Sequence, residues 1–130
     1  MKTILTMVLA ALLGFGASYA FWHIPYNPFI EKDRGAVVKQ GDFDVIQTRV
    51  NARVVLYATA TCPYCKMTRS LLASRGVAYA ELPVDASEQA SDEAHALGAR
   101  GVPFILIGDH SIEGFDEERI LELLAQQKII

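Results

Sequence analysis

The stretch TATCPYCKM, residues 59–67, holds the only two cysteines of a 130-residue chain. Cys62 and Cys65 flank a proline and a tyrosine, a spacing used for metal binding, haem attachment and disulfide exchange. A structural zinc site needs four ligands, and His23, His95 and His110 are scattered at non-motif spacings. A c-type haem needs a histidine directly after the second cysteine, where Lys66 stands. One disulfide closing a four-residue loop would staple almost nothing, so reactivity explains the pair better than structure does.

Disulfide exchange makes specific demands on the elements around the pair, and the sequence meets them. RVVLYAT (53–59) is a β-branched and aromatic run, expected as a strand. Residues 63–75 follow at helical spacing through Met67, Leu71 and Leu72, with Gly76 as the terminator. Cys62 therefore falls at or beside the helix N-cap. Pro63 takes the first helical position, where its fixed φ is preorganised and its missing N–H costs nothing. Free backbone donors and the positive end of the helix dipole would face the Cys62 sulfur and stabilise the thiolate, which is the nucleophile. Cys65 sits one turn on, within reach to resolve a mixed disulfide. Lys66 and Arg69 add positive potential, although Arg69 reads more simply as part of a solvated helix face.

The remaining elements follow in order. VAYAELPV (77–84) is expected as a second strand, Ser87–Leu97 as a second helix ended by Gly98, and PFILIG (103–108) as a third strand. Gly108-Asp109 turns the chain into a short fourth strand, HSI (110–112). Asp116 caps a last helix whose apolar side carries Ile120, Leu121, Leu123 and Leu124. The order β-α-β-α-β-β-α defines an α/β domain over residues 53–130. It differs from the β-α-β-β-α-β arrangement of copper chaperones that also use C-x-x-C.

Ahead of this domain lie two segments of different character. Residues 1–24 are apolar, and Lys2 is their only formal charge. The run Ile4–Ile24 is close to the roughly 20 residues a bilayer-spanning helix needs. Two readings fit this hydrophobic N-terminal helix. As a cleaved signal peptide, Ser18 and Ala20 would precede a cut before Phe21. As an uncleaved anchor, Phe21, Trp22 and Tyr26 would form an interfacial belt. Both place the domain outside the cytoplasm, with Lys2 inside. Residues 25–52, with Pro25, Pro28, Gly35 and Gly41, read as a linker with one short element near Phe43–Val50. The net charge of −3 comes without any block of like charge, so no electrostatic footprint for nucleic acid exists.

VVLYATATCPYCKMTRSLLASRGVAYAELPVD followed by GVPFILIGDHSIEGFDEERI resembles the glutaredoxins of the thioredoxin superfamily over roughly residues 53–127. The resemblance implies a thioredoxin fold and a dithiol Cys-Pro-Tyr-Cys site in which Cys62 attacks and Cys65 resolves. It implies a cis Val102–Pro103 peptide facing the cysteines, with the preceding backbone free to pair with a substrate. It implies no resident metal or cofactor, and glutathione as co-substrate. Tyr64 would line the glutathione groove. Gly114, Phe115 and Asp116 match the segment that grips the γ-glutamyl end; outside that role Asp116 is a helix cap and Phe115 packs over the last helix.

Two positions depart from the family pattern. Thr59 replaces a lysine that helps hold the glutathione carboxylate, and Glu113 replaces the first glycine of Gly-Gly-x-Asp, bringing a negative charge toward an anionic ligand. SIEGF is closer to the redoxins that a protein reductase serves. The expected partners are disulfide-containing or glutathionylated proteins, an unidentified reductant and, if residues 4–24 stay uncleaved, the membrane. A copper(I) or iron–sulfur carrier between subunits is the alternative of another class.

Overall fold

The computed structural model describes residues 36–130; the expectations for residues 1–24 lie outside them. No helix among the described residues is long and apolar enough to cross a membrane. The chain runs β1 (Val37–Gln40), α1 (Asp44–Val50), β2 (Val54–Ala58), α2 (Pro63–Ser74), β3 (Ala80–Pro83), α3 (Glu88–Ala96), β4 (Phe104–Ile107), β5 (His110–Glu113) and α4 (Glu117–Gln126). The strands form one sheet in the order β1-β5-β4-β2-β3. β2 pairs parallel with β3 and antiparallel with β4, while β4–β5 and β5–β1 are antiparallel.

The two most apolar strands lie inside the sheet. All five residues of β2 and all four of β4 are buried, as expected of strands covered on both faces. Alternation along each strand then divides the core. Val54, Leu56, Ala58, Ile105 and Ile107 face Leu71, Leu72, Ile120, Leu123 and Leu124 of α2 and α4. Val55, Tyr57, Phe104 and Leu106 face Phe43, Ala94 and Ala99, with Ile46, Val50 and Leu97 at the margin. The result is three layers, with α2 and α4 on one face of the sheet and α1 and α3 on the other.

The segment expected as a linker is therefore partly domain. Its short element is α1, and Phe43, Ile46 and Val50 recur at i, i+3 and i+7, the spacing of a helix with one buried stripe. β1 was not anticipated. It is only four residues long and mostly exposed, so it carries little apolar signal. The folded unit begins well before Arg53, and the described residues from β1 onward belong to one compact unit.

The strand expected over 77–84 is shorter than its sequence suggests, because its first residues end the preceding helix. Gly76 has φ +63°. Its N–H donates to Ala73 O, and the Val77 N–H donates to Leu72 O. This is the paired closure of a Schellman motif, with Val77 buried beneath it. α3 ends in the same way at Gly98, φ +86°, with Gly98 N–H donating to His95 O and Ala99 N–H to Ala94 O.

One polar group is placed deep in the second layer. The Tyr57 side chain is fully buried, and its hydroxyl donates to Glu93 of α3, which also receives Arg49 of α1 at 2.7 Å. Burial, then the Glu93 bond, pushes the phenol well above its ordinary range. Burial opposes the Glu93 charge, but the Arg49 and Tyr57 hydrogen bonds outweigh it and hold the carboxyl low. The three groups tie α1, β2 and α3 together. Tyr57→Phe is expected to lower unfolding stability by about 1.5 kcal/mol, the lower end for a hydrogen bond to a charged group, since Arg49 still pairs Glu93. Urea denaturation at neutral pH measures this, and an unchanged midpoint contradicts it.

Candidate active site

The junction between β2 and α2 assembles the site. Cys62 is the N-cap of α2, with φ −72° and ψ 119°, and Pro63 opens the helix. The Cys65 N–H donates to Cys62 Sγ at 3.2 Å, so the sulfur takes the place of the oxygen that ordinarily caps a helix. Cys65 itself is fully buried, and both cysteines are free thiols. The approach to the helix is fixed from two sides. Ala60 N–H donates to Asp85 at 3.1 Å, and the Arg69 guanidinium donates to Thr59 O at 3.0 Å.

The facing wall is the entry to β4. The Val102–Pro103 peptide is cis, and the Cys62 thiol points at the Val102 carbonyl, with Sγ 3.8 Å from the oxygen. The Val102 N–H donates to no backbone carbonyl among the described residues. Pro103 O receives the Gly114 N–H at 2.8 Å, which binds the proline wall to the Gly114–Asp116 turn. Cysteines, proline and glycine turn, far apart in sequence, thus share one edge of the sheet.

The other candidate residues divide into two groups. Tyr64 is 60 % exposed beside the dithiol. Lys66, Met67, Leu71 and Phe115 border an open groove of about 480 Å³ between α2 and the start of α4. Phe115 also packs on the core beneath that groove. Asp116 caps α4 by accepting the Arg119 N–H at 3.0 Å. Among the described residues no three His, Cys, Asp or Glu side chains gather into a metal-binding cluster.

Two charges behave differently from the expectations of the sequence. Glu113 does not project freely toward a ligand: it accepts the Arg100 N–H at 3.0 Å and lies 3.7 Å from the Arg100 guanidinium. Its carboxylate is thereby committed to the loop that leads into Val102–Pro103. Arg69 is not simply a solvated surface residue either. Its guanidinium makes bidentate contacts with Glu81, the shortest 2.6 Å, as well as the Thr59 contact. The i, i+4 spacing from Cys65 to Arg69 was the available signal.

The two thiols stand in different surroundings. Burial pushes the Cys65 thiol up to about 11; the hydrogen bond with Cys62 adds to this, while a Thr59 backbone bond and the Arg69 charge oppose it. Cys62 is half-buried and reachable.

This fold and this dithiol define a thioredoxin-like oxidoreductase, and comparison with known proteins agrees. The family model described as Glutaredoxin matches residues 54–112. Glutaredoxin 3 of Escherichia coli strain K12 is 39% identical over 67 residues, covering 51% of this chain and 81% of that protein. The solved glutaredoxin of Archaeoglobus fulgidus is similar with TM-score 0.51 and 30% identity, over 56% of this chain and 86% of that one. The NrdH-redoxin of Escherichia coli, a glutaredoxin-like protein with a thioredoxin-like activity profile, gives TM-score 0.52 and 30% identity over 55% and 93%. The chain belongs to the glutaredoxin family. It is a thiol–disulfide oxidoreductase with a dithiol active site, and β1 and α1 lie ahead of the residues that the family model matches.

Alkylation of the reduced protein with iodoacetamide, mapped by mass spectrometry, should label Cys62 first. Cys65 should stay unlabelled until the pH approaches about 11. The same shift has a stability consequence. Its folded value lies above the ordinary 9.0, so between those values the native state keeps a proton that the unfolded chain releases. Stability therefore falls as pH rises through that window, and Cys65→Ala should flatten the fall. Labelling of Cys65 ahead of Cys62 overturns the reading.

Proposed function

We propose that Cys62 is the attacking thiol and Cys65 the resolving thiol of a Cys-Pro-Tyr-Cys exchange site that reduces protein disulfides or glutathione mixed disulfides. The observation that carries this reading is the Cys62 sulfur at the start of α2, receiving the Cys65 N–H and facing the Val102 carbonyl. The Cys62 thiolate attacks one sulfur of the substrate, forming a mixed disulfide and releasing the other sulfur as a thiolate. Cys65 then attacks Cys62 Sγ. The substrate thiolate leaves, takes up the proton, and the 62–65 disulfide remains for a reductant to open. Val102, with its N–H unengaged by backbone, and Pro103 would hold the substrate chain alongside as an added strand. In kinetic assays Cys62→Ser should abolish every exchange reaction, and Cys65→Ser should retain those needing one thiol. Exchange activity surviving in Cys62→Ser rejects the assignment.

Glutathione is the expected co-substrate, bound weakly by Tyr64, Val102 and the Gly114–Asp116 turn. Thr59 is the main reason for the weakness. A lysine there would add a charge-assisted hydrogen bond worth about 1.5–3 kcal/mol, less with exposure. Glu113 is a smaller obstacle than its charge suggests, because Arg100 already engages it. Thr59→Lys should raise turnover of a glutathione mixed disulfide at low glutathione and leave protein-disulfide reduction unaltered. If the unsubstituted protein already saturates at ordinary glutaredoxin concentrations of glutathione, Thr59 is neutral. The relative with a thioredoxin-like activity profile favours the second reading, a redoxin reduced by a protein reductase.

The domain works outside the cytoplasm in this proposal, released or anchored by the apolar segment 4–24 behind Lys2. A reporter that is active only after export, fused after Ile130, should be active. Activity of a cytoplasm-only reporter at that position would remove the claim. A metal carrier, the alternative class, predicts visible absorbance or stoichiometric copper in purified protein.

A further inference from the structure

Arg69 links the site to the rest of the sheet. It follows Cys65 by four residues on α2, hence on the same helical face. Its Nε donates to both Glu81 oxygens at 3.1 and 3.0 Å. One terminal nitrogen donates to Glu81 Oε1 at 2.6 Å and to Thr59 O at 3.0 Å. Glu81 lies on β3, paired with Leu56 of β2, and Thr59 directly follows β2. The two side chains are 27% and 33% exposed. The guanidinium is thus anchored between strand, helix and dithiol loop.

We propose that Arg69 is a positioning residue for the second half of the exchange, holding the Thr59 carbonyl and setting a fixed positive charge beside Cys65, so that Cys65 attacks the mixed disulfide on Cys62 faster. Cys65 is wholly buried, and it must lose its proton to attack. The bond that forms is Cys65 Sγ–Cys62 Sγ, the bond that breaks is Cys62 Sγ–substrate sulfur, and the departing thiolate receives the proton. A cation nearby favours the thiolate that makes this attack. The ionisable groups acting on Cys65 are Cys62 and Arg69; those acting on Arg69 are Glu81, Cys65 and Tyr79. Glu81 serves here as the anchor of the cation.

The inference rests on Cys65 being the resolving thiol, and the test separates the two claims. Reduced full-length protein is mixed with 4,4′-dithiodipyridine, which releases one pyridinethione when Cys62 attacks and a second when Cys65 resolves. In Arg69→Gln, which keeps N–H donors but no charge, the second phase should slow relative to the first by about three- to tenfold near neutral pH. Its pH midpoint should move upward. Arg69→Lys should recover at least half of the loss, and Arg69→Met is the second neutral variant should Gln fold poorly. An unchanged ratio of the two phases in the neutral variants, including equal slowing of both, overturns the proposal. So does a Lys variant no better than the neutral ones. If unsubstituted protein shows no second phase, the role of Cys65 fails instead, whatever stands at position 69.

Discussion

Everything in the site depends on one sulfur acting as a helix cap. A helix start leaves backbone donors without intrahelical partners, and here the Cys65 N–H is answered by Cys62 Sγ at 3.2 Å. A serine or aspartate would satisfy that donor and be chemically quiet. Sulfur satisfies it less firmly and remains a nucleophile, so the capping requirement and the reactive group coincide in a single atom. Pro63 removes one orphan donor and fixes the turn. The cap also sets the place of Cys65, because a residue three positions inside the first turn must point back toward the cap and into the core.

The sheet converts this local arrangement into a shaped site. β2 delivers Cys62 and β4 delivers Val102–Pro103, and the two strands are antiparallel neighbours with Tyr57 opposite Phe104. The last residue of β2 and the first of β4 therefore meet at the same edge. β5 adds Gly114 beside them through the Pro103 O contact. α1, on the opposite face of the sheet, and β1, at its edge, contribute nothing to the dithiol directly. α1 covers the Tyr57 face, and β1 pairs with β5, so that β5 is interior and the short β1 is the edge strand.

How much of this was legible in the sequence varied with the kind of signal. The dithiol, the helix after it, the three interior strands β2, β4 and β5 and the capped last helix were readable, because apolar runs and punctuating glycines encode them locally. β1 was not: VVKQ is short, largely exposed, and held by pairing with β5, a partner far along the chain. The late start of β3 was hidden because Val77 looks like a strand residue but spends its N–H on closing α2. The cis Val102–Pro103 bond came from family resemblance, since nothing local to GVP distinguishes it from an ordinary strand entry. The partners of Arg69 and Glu113 were out of reach, because a charge on a sequence has a sign and a position but no direction.

The directions of these two charges change the chemistry of the site more than any shift of an element's boundary. Counted along the sequence, Thr59 lacks a cation and Glu113 supplies an anion, so the site looks hostile to a negatively charged ligand on two grounds. In three dimensions Glu113 is spent on Arg100, where it stiffens the approach to the proline wall. The cation missing from position 59 is replaced from the side by Arg69, which reaches the Thr59 carbonyl but is held by Glu81. A lysine at 59 would offer its charge outward, to a ligand. Arg69 is turned toward the protein's own loop and β3. The positive charge of Arg69 is thus committed to the protein's own loop and strand, while the exposed Tyr64 and the Val102 carbonyl stand beside the Cys62 sulfur.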